Sequence, residues 1–371
     1  MADFRARLTG LRQERMVASP RYAGQRFRNT ARARPRLTPG TALPMAGELF
    51  FGGGHRAPVA PLPTMSPLDR WTTPVDTGLR VTWLGHSTVL VEIDGLRVLT
   101  DPVWGNRASP TRLAGPKRFQ PVPVTIAALP PLDAVIISHD HYDHLDHPSI
   151  LELARRDVPF YTSLGVGARL ETWGVPAGRI VELDWWESVP LPRGELRITA
   201  APSQHFSGRG VWDRNCTLWS SFALRGPRHG VFFSGDTGLT PEYAEIARRL
   251  GPFDLVMLEV GAFHPAWGEI HLGPDNALAA LELLGGGTFL PVHWGTFNLA
   301  LHDWDQPAER LVELAPARGV HLVMPGLGEA VEPSRVERVD AWWRPIAALE
   351  ARPPRARDEP SELLSVPDPI D

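Results

Sequence analysis

The chain has 371 residues, with 38 Lys and Arg against 42 Asp and Glu and a formal net charge of −4. That balance excludes a global basic field for nucleic acid. Cys216 is the sole cysteine, so neither an intrachain disulfide nor a cysteine-based zinc site can form. No apolar run approaches the ~18 residues that span a bilayer, and a cytoplasmic protein is expected.

In chain order, residues 1–75 are rich in Arg, Pro and Gly and read as a basic N-terminal arm wrapping the main domain. The stretch from Arg5 to Arg36 lacks the apolar centre of a secretory signal. Residues 76–350 carry the dense pattern of a catalytic domain, and 351–371 read as a disordered tail. Arg80 to Leu84 and Ser87 to Ile93 read as strands broken by Gly85, and Asp94-Gly95 signals a hairpin into Leu96 to Thr100. Ala134 to Ile137 is a short buried strand, and Pro148 to Arg155 a helix. Further strands are expected near 158–161, 179–183, 195–201, 217–224, 230–234, 254–259, 287–292 and 320–324. Helices are expected near 166–173, 241–250, 274–284 and 307–316. Hairpins first, then alternation with helices, suits two sheets with helices packed outside.

Four segments, each just after an expected strand, carry the chemistry. The first, Ser138 to Asp146, packs His139, His141 and His144 with Asp140, Asp143 and Asp146 into nine residues. Alternation puts His139 and His141 on one side of an extended segment. Asp143 and His144 follow as the chain turns into a helix. A bland polar turn would not need so many imidazoles. The others are Pro202 to His205, Ser234 to Gly238 and Pro291 to Thr296. Taken singly, His205 and His293 are ambiguous and Asp236 reads as a turn or cap.

Together they complete a set for two divalent metal ions, zinc first, since imidazole and carboxylate suit it. Metal one takes His139, His141 and His205; metal two takes Asp143, His144 and His293; Asp236 bridges both. Such a bridge with a shared hydroxide holds two ions roughly 3.5–4 Å apart and yields a nucleophile near neutral pH. Asp101, at the end of strand 96–100, reads equally as a partner orienting an imidazole or as a turn residue before Pro102.

At these residues the chain resembles the metallo-β-lactamase superfamily, whose signature is the segment His139 to His144. The resemblance implies an αββα sandwich of two mixed β-sheets flanked by helices, with a dinuclear site at one edge. Longer stretches resemble its N-acylphosphatidylethanolamine-hydrolysing phospholipase D branch: Val81 to Val89, Leu99 to Val103, Gly115 to Phe119, Glu182 to Glu187, Gly251 to Leu255 and His293 to Phe297. That branch implies a phosphodiesterase in which a metal-bridging hydroxide attacks phosphorus. Asp143 and Asp236 then serve as catalytic residues, and His271 falls where the branch has an active-site histidine near the phosphate. Ile270 departs from the polar amide that the branch's lipid-hydrolysing members carry. Two other readings therefore stay open, a lactonase or other ester hydrolase on the same site and a non-catalytic lipid- or metabolite-binding module. A small-molecule or phospholipid substrate and no nucleic acid are expected; the Arg-rich arm and the Trp residues suit either peripheral membrane contact or, the favoured reading, a solvated arm over a buried Trp core. The oligomeric state stays open, a homodimer included.

Overall fold

The structure, a computed structural model, describes residues 4–31, 54–111, 113–210, 212–264 and 269–350. The expected tail, 351–371, and residues 32–53 of the arm lie outside the described residues. Helix α1 (Gly10–Ala18), the two-residue strands β1 (Tyr22–Ala23) and β2 (Arg26–Phe27), and α2 (Leu68–Trp71) come first. Next are β3 (Leu79–Gly85), β4 (Thr88–Ile93), β5 (Leu96–Thr100), β6 (Ala134–Ile137), α3 (His147–Leu153), β7 (Phe160–Ser163), α4 (Gly167–Thr172) and β8 (Ile180–Leu183). A second run holds β9 (Ser188–Pro190), β10 (Arg197–Ala201), β11 (Ser221–Arg225), β12 (Gly230–Phe233), α5 (Glu242–Leu250), β13 (Leu255–Glu259) and α6 (Gly273–Leu283). Then come β14 (Thr288–Val292), α7 (Gln306–Leu314), β15 (Ala330–Val331) and α8 (Arg344–Ala347).

The strands form two mixed sheets. One has the order β15-β3-β4-β5-β6-β7-β8. It is antiparallel from β15 to β5 and parallel from β5 to β8. The other has the order β14-β13-β12-β11-β10-β9, parallel across β12, β13 and β14 and antiparallel over the rest. Strand alternation assigns the faces. Val89, Val91, Ala134 and Ile136 join the central core with Ile198, Phe222 and Leu224 of the second sheet. Leu90, Leu99, Val135 and Ile137 face outward, under Ile150 and Leu153 of α3 and Leu170 of α4. Leu278 and Leu281 of α6 and Leu311 of α7 pack on the second sheet. Both faces of the sheets are therefore covered, which is why the strands read as near-continuous apolar runs.

Local chemistry explains several element ends. Asp94 and Gly95 both take positive φ, 48° and 86°, as a two-residue turn between twisted strands requires. Asp146 caps α3, its side chain accepting from Ser149 N, and Pro148 sits in the first turn, where a missing N–H costs nothing. Helix α5 has Glu242 and Glu245 in its first turn and Arg248 and Arg249 in its last, matching the helix dipole.

Two expectations fail in detail, and two short strands were not foreseen. Residues 320–324 form no strand; only the isolated bridge between Phe289 and Leu322 extends the second sheet there, because Pro325 follows and the chain turns away. The strand expected from 217 begins at Ser221. Before it, Leu218 N and Ser220 N bond to Leu164 O and Ser138 O, spending their donors on loops of the other sheet. Strands β9 and β15 are too short to show a period in the sequence.

Beneath α2, the outer face of the first sheet buries an ionic group. Arg80 Nη2 donates to Glu92 Oε1 at 2.9 Å and Arg97 Nε donates to the same oxygen at 3.1 Å, with the Arg80 side chain fully buried. Removing Glu92 would strand that guanidinium in the interior. The change Glu92→Ala is expected to cost about 3–5 kcal/mol in denaturant unfolding; a loss under about 1 kcal/mol would show that the pair is dispensable.

Candidate metal centre

The two sheets deliver their loops to one common edge. The first sheet gives the β3–β4 turn with His86, Asp101 after β5, and 138–146 after β6. The second gives 202–205 after β10, 234–238 after β12, Glu259 at the end of β13, and His293 after β14. Close backbone approach makes this possible: a Cβ on Gly261 would lie 2.0 Å from His293 O, so only glycine lets the β13 and β14 loops meet.

All seven residues expected as ligands come together, in two groups. His139, His141, His205 and Asp236 form one, and Asp143, His144 and His293 form the other together with His86. In each group one ligand atom per residue lies within 4.8 Å of the others. His141 Nδ1 is 2.8 Å from His139 Nε2 and 3.2 Å from His205 Nε2. Asp236 stands between the groups. Its Oδ2 faces His139 Nε2 at 3.8 Å and His205 Nε2 at 3.6 Å, and its Oδ1 faces His144 Nε2 at 3.0 Å and His293 Nε2 at 3.1 Å. Asp143 Oδ2 lies 3.3 Å from His293 Nε2 and 3.5 Å from His144 Nε2.

The donor set fits metal ions. His144 Nε2 and Asp236 Oδ1 are buried and, though 3.0 Å apart, meet no partner in hydrogen-bond geometry. An unsatisfied buried polar group costs about 1–3 kcal/mol, and a cation placed among these atoms would turn each into a ligand. The opposite ring nitrogens are already held. His144 Nδ1 meets Asp101 Oδ2 at 2.6 Å, His139 Nδ1 meets Ser138 Oγ at 2.9 Å, and His205 Nδ1 donates to Ile270 O at 2.9 Å. Such partners fix the ring that a metal then takes. Of the two readings of Asp101, imidazole orientation is the one realised. Ile270 acts through its carbonyl, so the absent side-chain amide leaves His205 supported.

His271 belongs to a third cluster with Asp236 and Glu259. Its Nδ1 lies 3.0 Å from Glu259 Oε2 and 3.1 Å from Oε1, leaving Nε2 free. Glu259 is fully buried and also accepts from Thr237 N and Leu272 N. Burial lowers the His271 pKa, but Glu259 outweighs it and raises the imidazole above its ordinary value.

Sequence reasoning missed two residues. His86 Nε2 sits 3.0 Å from Asp143 Oδ2; burial and the neighbouring His293 push its pKa down to about 3, so it is a neutral donor. Its only signal was a histidine in a tight turn after Gly85. Glu259 gave no signal beyond being an acid at the end of an apolar strand. Conversely, two acids of the signature segment face away. Asp140 accepts from Arg169 Nε at 2.6 Å and Gly208 N at 2.7 Å, and Asp146 caps α3. The Trp185-Trp186 pair is also remote from the ligands. Trp185 packs with Met16, Phe27 and Trp219, and Arg249 lies over Trp186 at 4.3 Å.

Two imidazole–carboxylate clusters at one edge of two packed mixed sheets define a metal-dependent hydrolase. Residues 96–294, more than half of the chain, match the family described as beta-lactamase superfamily domain; the chain belongs to this superfamily and has the metallo-β-lactamase fold. Among its relatives, the Mycobacterium tuberculosis protein named Uncharacterized protein Rv0906 is 49% identical over 302 residues, 80% of each chain. The Caenorhabditis elegans N-acyl-phosphatidylethanolamine-hydrolyzing phospholipase D 1 is 38% identical over 254 residues, 66% of this chain and 71% of that one. Among solved structures, Igni18, a metallo hydrolase from Ignicoccus hospitalis, shares the fold with a TM-score of 0.52 at 24% identity, over 68% of this chain and 97% of that one.

The clusters differ in protonation. Burial lowers the His139 and His205 pKa values well below the ordinary range, so these rings are neutral. Burial also lowers His144 and His293, but the carboxylates Asp236 and Asp143 outweigh it. His144 ends well above its ordinary value and His293 is pushed up to about 10. A ligand raised in the metal-free protein must lose its proton on binding, so affinity at that cluster rises with pH through the neutral range. Zinc titration calorimetry in buffers of different ionisation enthalpy should show one ion bound with proton release at pH 7 and another bound with little. Equal proton release for both ions would contradict the assignment.

Proposed function

We propose that this chain is a phosphodiesterase of the N-acylphosphatidylethanolamine phospholipase D type, acting with two divalent ions, zinc first. The observation that carries this reading is the pair of imidazole–carboxylate clusters with His271 beside them; a groove of about 1270 Å³, lined by Tyr142 of the ligand loop but by none of the ligands, lies alongside. Tyr142, Trp104 and Trp173 give it aromatic walls, and Arg107 and Arg209 give it cationic ones. Pockets for drug-sized ligands run about 300–1,000 Å³; this one has room for an acyl chain, the phosphate itself falling to the ligand clusters. The worm relative's name and the seven assembled ligands support the same reading.

When bound, the two ions supply a water of lowered pKa and neutralise charge building on phosphoryl oxygens. The chain's own residues do the rest. Asp236, one oxygen toward each cluster, sets the spacing of the two donor groups. His86 holds Asp143 Oδ2. Glu259 engages His271 Nδ1 and leaves Nε2 to donate to a phosphoryl oxygen or to the departing alkoxide.

Lipid contact falls to two exposed side chains, Trp212, which lines the cavity, at 80% and Leu113 at 91% exposure. The contact proposed is peripheral; no helix among the described residues is long and apolar enough to cross a membrane.

The purified zinc-loaded protein is expected to hydrolyse bis-p-nitrophenyl phosphate and N-acylated phosphatidylethanolamine in vesicles. Replacing Trp212 with Ala and Leu113 with Ser should lower vesicle turnover by about tenfold or more, since each large apolar side chain contributes about 1.5–3 kcal/mol when buried. Turnover of the soluble diester should not change. Lactone opening without diester hydrolysis would overturn the proposal.

A further inference from the structure

His205 lies beyond the end of β10, in a segment without regular structure, and is 1% exposed. Its backbone N–H and C=O are therefore buried without a ladder to pair them, and buried backbone groups need partners. Both partners come from one residue of the N-terminal arm. Asn29 Nδ2 donates to His205 O at 2.9 Å, and His205 N donates to Asn29 Oδ1 at 3.1 Å. Trp219 Nε1 donates to the same Oδ1 at 3.0 Å, which fixes the amide's orientation.

The arm is held well enough to do this. Met16 and Phe27 pack with Leu164, Trp185, Leu218 and Trp219. Arg12 bridges Glu171 and Glu182, and Phe27 N donates to Asn215 O at 2.9 Å. A second brace starts at Phe4, whose ring lies 3.6 Å from the Arg169 guanidinium. Arg169 in turn grips Asp140, the residue between His139 and His141. Both braces end on the three-histidine cluster. Among the described residues, no hydrogen bond from 4–31 reaches His86, Asp143, His144 or His293.

We propose that the N-terminal arm is a clamp for one of the two metal subsites, with Asn29 the positioning residue for His205. The inference rests on the two-cluster metal reading. In its absence two buried backbone groups lose their partners, His205 is free to shift, and the three-histidine cluster loosens while the other keeps its support. Bulk structure does not predict that asymmetry, since a general loss of stability would weaken both.

The test is a chelator-competition titration of zinc on the full chain, comparing wild type, Asn29→Ala, Asn29→Gln and Arg12→Ala. Wild type should bind two ions. Asn29→Ala should weaken one of them about 10–100-fold, the usual effect of losing a ligand's supporting partner, and leave the other unchanged. Asn29→Gln, which displaces the amide by one methylene, should do the same and serves if the alanine variant fails to fold. Arg12→Ala, which loosens the arm without touching His205, should weaken the same ion by less than Asn29→Ala and leave the other unchanged. In a His205→Ala background, Asn29→Ala should have no further effect on the weakened ion. Two ions weakened equally, or neither, would overturn the clamp; a wild type that binds fewer than two would instead overturn the metal reading beneath it.

Discussion

The structure turns on one carboxylate. Asp236 is nearly fully buried, and its two oxygens face different groups of imidazoles, Oδ2 toward His139 and His205 and Oδ1 toward His144 and His293. For that to hold, loops from both sheets must converge to within the width of a carboxylate group. The face-to-face packing of two twisted sheets supplies the convergence, and a tryptophan cluster locks it. Trp83 stacks on Trp294 with ring centroids 5.2 Å apart, and Trp342 lies against both. Trp83 Nε1 also donates to His86 O at 2.8 Å, and Trp294 follows His293 directly. The C-terminal part of the described chain, far from the ligands in sequence, thus braces the turn and the strand end that carry two of the imidazoles.

Charge is divided unevenly across the carboxylate. The cluster of His139, His141 and His205 has Asp236 alone as its acid and holds neutral rings. The other cluster adds Asp143 and, behind His144, the buried Asp101. The two remaining acids of the signature segment serve structure: Asp140 is neutralised by Arg169, and Asp146 starts a helix. Six imidazole and carboxylate side chains in nine residues therefore serve three jobs, and only burial and partners distinguish them.

This explains what the sequence could and could not reveal. The seven positions that converge in the structure were legible because imidazole and carboxylate are rare in such density and each segment follows an apolar strand. The central strands were legible for the same reason. Short strands such as β9 and β15 were not, since two or three residues carry no period. His86, Glu259 and Asn29 stayed hidden because their roles come from partners distant in the chain. His86 meets Asp143 across 57 residues and Asn29 meets His205 across 176. The Trp185-Trp186 motif was legible as a likeness, yet its place is against the arm, away from the ligands.

The central claim is that Asp236 separates two metal positions with unlike donor sets. Anomalous diffraction at the zinc absorption edge, on crystals of the zinc-loaded protein, tests it most directly. The account predicts two peaks, one beside Asp236 Oδ2 among His139, His141 and His205 and one beside Oδ1 among Asp143, His144 and His293. A single peak, or two peaks that both lie on one side of Asp236, would contradict it.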